Sequence, residues 1–426
     1  MERVIYLFFY LSFLMLIGII IRSKIKFLKD FFIPASLVGG IVGLILNPIF
    51  IPNEWVKEIS LLPALLIVPV ITSIPLGLKF KGFKDGGRDT LLMGAIMFMV
   101  TFLQLATGYS VNFIFNFFGW NLYKSFGAEL NAAFAGGHGT AGLIGRTLQD
   151  MNLNYWNLAQ GVTSTLATFG LLGGLFLGIS IIYTKKKNII SFENKNEAQT
   201  SSVSTSNSFL FHLSLIFTVC GGAYLLVKFI KNHRIPILSS LSVWSIGMIL
   251  MFLIWKGMEK FKLDSLIDNT VKTKITSFLT EFAILSAIST LPIKAVFSYL
   301  LPVIILTLLG FAVTWGSIRI LTIFYFKENY TFEREVAILG TSLGVFLTGI
   351  VLLRICDPKF ETPVLRDYSL GFSLVSLMGP IAIVSSISLS ISRGAIAPIL
   401  LNLACFGITF FISLLYRPQK QPVLIL

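Results

Sequence analysis

Charge is scarce in this chain. Only 13% of its 426 residues are Asp, Glu, Lys or Arg, against about a quarter in a soluble domain. Histidine and cysteine are scarcer still, with three of each. Cys220, Cys356 and Cys405 lie far apart, in or beside apolar stretches. No CxxC or Cys/His ligand spacing occurs, which excludes a disulfide framework and a structural zinc site. Long polar stretches are few, which excludes a soluble enzyme and a disordered chain. Strict alternation of polar and apolar residues is absent too, so the chain is no membrane barrel. What is present is apolar: 55% hydrophobic residues, 39 Phe and a mean hydropathy of +0.83. Repeated apolar runs reach roughly 20 residues, the length that crosses about 30 Å of hydrocarbon. The composition predicts an all-α polytopic membrane protein.

The formal charge of +14 would suggest nucleic acid in a soluble protein. Here the basic residues are scattered among short loops, and a helical membrane protein gathers Lys and Arg in its cytoplasmic loops; no nucleic-acid partner is expected. Arg22, Lys24, Lys26 and Lys29 fall in one such loop, Lys185, Lys186 and Lys187 in another, and Lys327, Arg334, Arg354, Lys359 and Arg366 in a third set. The bias predicts an N-terminus outside and a C-terminus inside, in a cell (inner) membrane. The first apolar segment is followed by basic residues rather than a small-residue cleavage site, which reads as a first transmembrane helix.

Apolar helices are expected at about 4–22, 32–50, 58–78, 90–118, 158–183, 209–230, 236–255, 276–297, 299–326, 369–392 and 395–416, about eleven in all. Two segments, 128–148 and 335–353, are too short, Gly-rich or polar to span and are expected to be re-entrant. A charged, Ser/Asn-rich stretch at 184–208 separates the halves as a cytoplasmic linker. Pro34 and Pro236 each open an apolar helix, and Gly139-Thr140 and Gly340-Thr341 recur at nearly the same offset. A further match, Thr72–Phe80 against Ser289–Phe297, has a larger offset. Five helices per half is odd, so the second half would start from the opposite side. The expected architecture is two inverted five-helix repeats with re-entrant hairpins, 1–183 and 209–392, followed by an extra C-terminal helix and tail at 393–426.

The segment Asn131–Gly145 holds five glycines and a histidine. Gly costs about 1 kcal/mol per interior helix position relative to Ala, and broken backbone at membrane depth is tolerated only where protein or a water-filled cavity satisfies it. N–H groups at an exposed helix start suit a carboxylate, and free carbonyls suit Na⁺. Gly136, Gly137, His138, Gly139 and Thr140 are therefore candidates for the substrate, with Thr140 also a Na⁺ ligand. The other reading is a small-residue packing interface. The second segment offers Gly340, Thr341 and Ser342, with Arg354 as a fork for an anion. Thr348 and Asp357 are the corresponding candidates for a cation, although Arg354 and Asp357 also read as plain loop charges. The helix at 158–183 carries Ser164, Thr165 and Thr168 among four glycines. These hydroxyls could serve Na⁺ where the helix unwinds, or bond to their own helix backbone.

FFIPASLVGG, AGGHGTAG and ATFGLLGGLFLG, in this order and spacing, resemble the glutamate:sodium symporter family. The resemblance implies Na⁺-coupled uptake of glutamate or a related anionic amino acid or dicarboxylate. It also implies elevator-type alternating access, in which a transport domain moves against a scaffold domain, and a homodimer in the lipid bilayer. It points to Gly136, Gly137, His138, Gly139 and Thr140, and to Thr165, Thr168, Phe169 and Gly170. The second segment, GTSLGVFLTG followed by LLRICDP, departs from the pattern of glutamate-specific members and bears on which substrate is carried. A proton-coupled carrier or exporter on the same scaffold is the alternative. A membrane acyltransferase-type enzyme using His138 is a weaker one, since no HExxH motif, nucleophile elbow or P-loop is present.

Overall fold

The computed structural model describes residues 2–26, 28, 33–77, 87–185, 206–232, 243–290, 297–327, 329–357 and 361–417. Every long element among these residues is helical: α1 Glu2–Lys24, α2 Ala35–Phe50, α3 Asn53–Thr72, α4 Gly87–Phe117, α5 Ala128–Asp150, α6 Trp156–Lys185 and α7 Ser206–Asn232. After these come α8 Val243–Lys260, α9 Asn269–Ser289, α10 Leu300–Phe326, α11 Thr331–Leu343, α12 Phe346–Cys356, α13 Val364–Arg393 and α14 Ile396–Leu414. Eight of them are long and apolar enough to cross a membrane: α1, α3, α4, α6, α7, α10, α13 and α14. The other three spans expected from sequence coincide with α2, α8 and α9. Of these, α2 has only 16 residues, and α9 opens on the polar run NTVKTK. The expected linker at 184–208 lies mostly outside the described residues.

Two compact units emerge, and neither follows the halves of the sequence. One comprises residues 1–79, 138–164 and 191–298, the other 80–137, 165–190 and 299–426. Each draws helices from both halves. The chain passes from one unit to the other at Gly137–His138 and again at Ser164–Thr165.

In the first unit, glycines let helices touch. A methyl group on Gly39 would lie 2.4 Å from the Leu14 carbonyl oxygen, and one on Gly40 would lie 2.6 Å from Ile288 Cβ. The GG pair after Pro34 thus seats α2 between α1 and α9. Asn47 Nδ2 donates to the Ser289 carbonyl at 2.7 Å, supplying a partner for a group at the end of α9. Asp268 caps the start of α9, accepting from Thr270 N (2.8 Å) and Val271 N (3.4 Å), and those bonds hold its carboxyl below the usual range.

In the second unit, α4 packs against α10, α13 and α14. Helices α11 and α12 lie side by side as a helical hairpin. A methyl on Gly340 would meet the Gly349 Cα and N at 2.7 Å, and one on Gly349 would meet the Ala337 carbonyl at 2.5 Å. No residue larger than Gly allows two backbones this approach.

Candidate functional site

The site begins with two interruptions of helix. Within α5, Gly137 adopts φ 65° and ψ −159°, while the residues around it stay helical. An L side chain is disfavoured there, and Gly is the residue that takes this conformation without strain. The hairpin at 331–356 turns at Gly344 (φ −138°, ψ −105°) and Val345 (φ −146°, ψ 171°). Within the second unit these two interruptions meet. A methyl on Gly137 would come within 2.6 Å of Val345 Cγ1 and 3.6 Å of the Gly344 carbonyl oxygen. Gly137 is therefore a neighbour of Gly344 and Val345 within the second unit. The paired arms expected of a hairpin are visible at 331–356, whereas 128–150 is one helix interrupted at Gly137 whose two parts belong to different units.

The turn at Gly344–Val345 exposes two helix ends of opposite polarity. The C-terminal carbonyls of α11 lack helical partners and carry partial negative charge; the first N–H groups of α12 carry partial positive charge. Several side chains fix this tip. Thr348 Oγ1 accepts from Val345 N at 3.3 Å. Tyr368 of α13, fully buried, donates to the Phe346 carbonyl at 2.7 Å and shares a short hydrogen bond with Thr341 Oγ1. Its ring stacks on Phe346 at 4.8 Å and 4°. One tyrosine thus ties both arms of the hairpin.

A buried amide network stands behind the tip. Gln104, near the middle of α4, donates from Nε2 to the Ser342 carbonyl (2.8 Å) and to Thr314 Oγ1 of α10 (2.9 Å). Its Oε1 accepts from Asn131 Nδ2 of α5 at 2.7 Å. Helix α6 closes the far side: a methyl on Gly170 would lie 2.7 Å from the Leu343 carbonyl, and one on Gly174 would lie 2.7 Å from Leu343 Cβ. Helix α6 is unbroken from Trp156 to Lys185. Gly170 and Gly174 serve close approach to α11, and Gly173 to Phe311 of α10; they do not mark the unwinding that the sequence suggested.

The remaining candidates are distributed. Gly136, Gly340, Thr341, Ser342 and Thr348 belong to the second unit and flank the interruptions; Thr165 and Thr168 are in the same unit on α6, half-buried. His138, Gly139, Thr140 and Ser164 belong to the first unit. There His138 is buried, Gly139 faces Thr280 and Ile67, and Ser164 Oγ donates to the Gln160 carbonyl at 3.0 Å. Arg354 and Asp357 are not brought to the tip. They lie eight and eleven residues beyond Phe346, about 12 and 16 Å along a helix. Arg354 is exposed. The Asp357 carboxylate accepts from Glu361 N (2.9 Å), Thr362 N (3.0 Å) and Thr362 Oγ1 (2.6 Å), which occupies it just before α13.

The base of the hairpin holds an ion cluster that sequence reasoning dispersed among loop charges. Arg334 Nη2 lies 3.0 Å from both Asp89 Oδ2 and Asp367 Oδ2. Next to it, Glu335 pairs with Arg319 and, at 3.9 Å, with Lys185. Gln104, Asn131, Thr314 and Tyr368 likewise went unmarked as site residues. Only Gln104 had a usable signal, an amide near the middle of a long apolar run.

No group of three or more His, Cys, Asp or Glu side chains suited to a metal ion occurs among the described residues. A cation at the tip would be held by carbonyl and hydroxyl oxygens, the donor chemistry of a hard monovalent ion. A comparison with curated proteins gives no match. The profile of a family described as sodium/glutamate symporter matches residues 4–325, from α1 through α10, including the Gly137 interruption, Gln104 and Asn131. With well over half of its length matched, the chain belongs to the sodium/glutamate symporter family, as a membrane transporter, not an enzyme, with Na⁺ as its coupling ion.

Proposed function

We propose that this transporter takes up glutamate or a related anionic amino acid or dicarboxylate together with Na⁺, at a site built around the two helix interruptions. The observation that carries this reading is the approach of Gly137 to Gly344 and Val345. Interrupted helices that face one another offer N–H groups for a carboxylate and carbonyls for Na⁺ without any formal charge in the bilayer. In the second unit, Gly136 and Gly137 and the tip residues Gly340, Thr341 and Ser342 are assigned to the substrate; His138, Gly139 and Thr140 are substrate candidates of the first unit, taken by itself. Thr165, Thr168 and Thr348 of the second unit are assigned to the ion, and Thr140 and Ser164 are ion candidates of the first unit, taken by itself. Arg354 and Asp357 are given no part at the tip, since both sit at the far end of α12.

Alternating access is proposed to be of the elevator type, one body carrying the site against a dimeric scaffold. The loop charges favour an outside N-terminus and an inner-membrane location. Uptake of labelled glutamate, aspartate and dicarboxylates into proteoliposomes with an inward Na⁺ gradient tests the proposal. Accumulation that disappears when K⁺ replaces Na⁺ is expected. Accumulation that persists in K⁺ and collapses with a protonophore would replace Na⁺ coupling at this site by proton coupling.

A further inference from the structure

We infer that Gln104 is a positioning residue for Na⁺ coupling: it pins the Ser342 carbonyl and so fixes which α11 carbonyls remain open to the ion. The inference rests on the reading of the tip as the ion and substrate site. Gln104 is 1% exposed and sits midway along a 31-residue apolar helix. An uncharged amide in such a place is costly unless its donors and acceptor are all used. All are used here, and in one orientation only. Nε2 faces two acceptors, Ser342 O and Thr314 Oγ1, and Oε1 faces one donor, Asn131 Nδ2. Rotating the amide by half a turn would set Oε1 against the Ser342 carbonyl, two acceptors without a proton between them.

The consequence lies at the end of α11. The last turn of that helix leaves its carbonyls without helical donors because the chain turns away at Gly344. One of them has a side-chain donor, Ser342 O from Gln104, while Leu343 O lies against α6, 2.7 Å from where a methyl on Gly170 would sit. The carbonyls of Gly340 and Thr341 stand in the same last turn, and their direction follows from where Ser342 is held. A bound Na⁺ needs ligand oxygens placed to a few tenths of an ångström, so a fixed Ser342 carbonyl defines the neighbouring ones. Asn131 belongs to the same device, because it is the α5 residue that reads the position of Gln104, six residues before Gly137. The network thereby joins the two interruptions through one side chain of α4.

The test is Gln104→Met, which keeps length and volume but removes both donors. In proteoliposomes, the Na⁺ concentration for half-maximal glutamate uptake is expected to rise about tenfold, the fold-change that follows from losing one hydrogen bond's worth of positioning. The half-saturating glutamate concentration at saturating Na⁺ should stay within about twofold of the parent. A purely structural amide would lower the yield and melting temperature without separating these two constants. Asn131→Leu, which leaves Gln104 in place but frees its amide to rotate, is expected to give the same split to a lesser degree, and it decides the matter if Gln104→Met does not fold. Parental Na⁺ dependence in the folded variants overturns the inference alone. Absence of any Na⁺ dependence in the parent protein overturns the proposed function and the inference with it.

Discussion

Replacing Arg334 with Met should destabilise the second unit more than any other single change of charge. Arg334 is fully buried, and its guanidinium lies 4.3 Å from the centre of the Phe326 ring. It joins the first turns of three helices: Asp89 on α4, its own position on α11 and Asp367 on α13. Asp367 is 1% exposed in its side chain, so losing Arg334 leaves a carboxylate that water cannot reach. Breaking one partner out of a buried pair costs about 3–5 kcal/mol. Arg366 and the Thr90 hydroxyl, at 3.0 and 3.2 Å from Asp367 Oδ1, offset part of this. Asp89 is 23% exposed, so Asp89→Asn should cost about 1 kcal/mol or less. The double variant Arg334→Met/Asp367→Asn removes both charges and should recover most of the loss. Buried free thiols provide the readout, because Cys356 ends α12 in the same unit. In a Cys220→Ala/Cys405→Ala background, a thiol-reactive fluorophore reports when that unit opens on heating. The Arg334→Met midpoint should fall by roughly 6–20 °C, taking about 2–4 °C per kcal/mol for a unit of this size. A midpoint within 2 °C of the parent, or a double variant no better than the single, would refute the argument that burial of Asp367 makes Arg334 indispensable.

Two further substitutions probe the interruptions themselves. Gly137→Ala places a methyl group 2.6 Å from Val345 Cγ1 on a residue held at φ 65°. Glutamate uptake should be lost, and adding Val345→Ala should restore packing and melting temperature only in part, because the backbone conformation still disfavours a side chain at about 1–2 kcal/mol; full recovery in the double variant would show that crowding was the whole effect. Tyr368→Phe removes the hydroxyl shared by the Phe346 carbonyl and Thr341 while keeping the ring stack on Phe346. A loss of about 1–3 kcal/mol is expected, together with faster proteolysis at residues 340–349; an unchanged cleavage rate would mean that the hairpin arms hold without this tie.

What the sequence discloses and what it hides divide along a physical line. Gly137 and the run 340–349 were legible because an interruption of helix is encoded locally: glycine at these positions is demanded by φ 65° and by backbones in contact, and no distant residue can substitute for it. The glycines of α6 show the limit of that signal. Composition alone reads the same whether a glycine lets its own helix unwind or lets another helix approach, and Gly170 and Gly174 do the second. Arg334 was illegible for a different reason. As a basic residue outside an apolar run it resembles any cytoplasmic loop charge, and its partners Asp89 and Asp367 lie 245 and 33 residues away in sequence. The two compact units were hidden likewise, since each is assembled from both halves of the chain. Gln104 stands between these cases. Its neighbours could not be foreseen, but its cost could: an amide midway along a span of apolar residues must be answered by partners of matching polarity. The nearest unsatisfied backbone in such a protein is wherever a helix has been broken. An amide midway along one span and a glycine-rich interruption elsewhere are therefore two halves of one observation, and in this chain they meet at the Ser342 carbonyl.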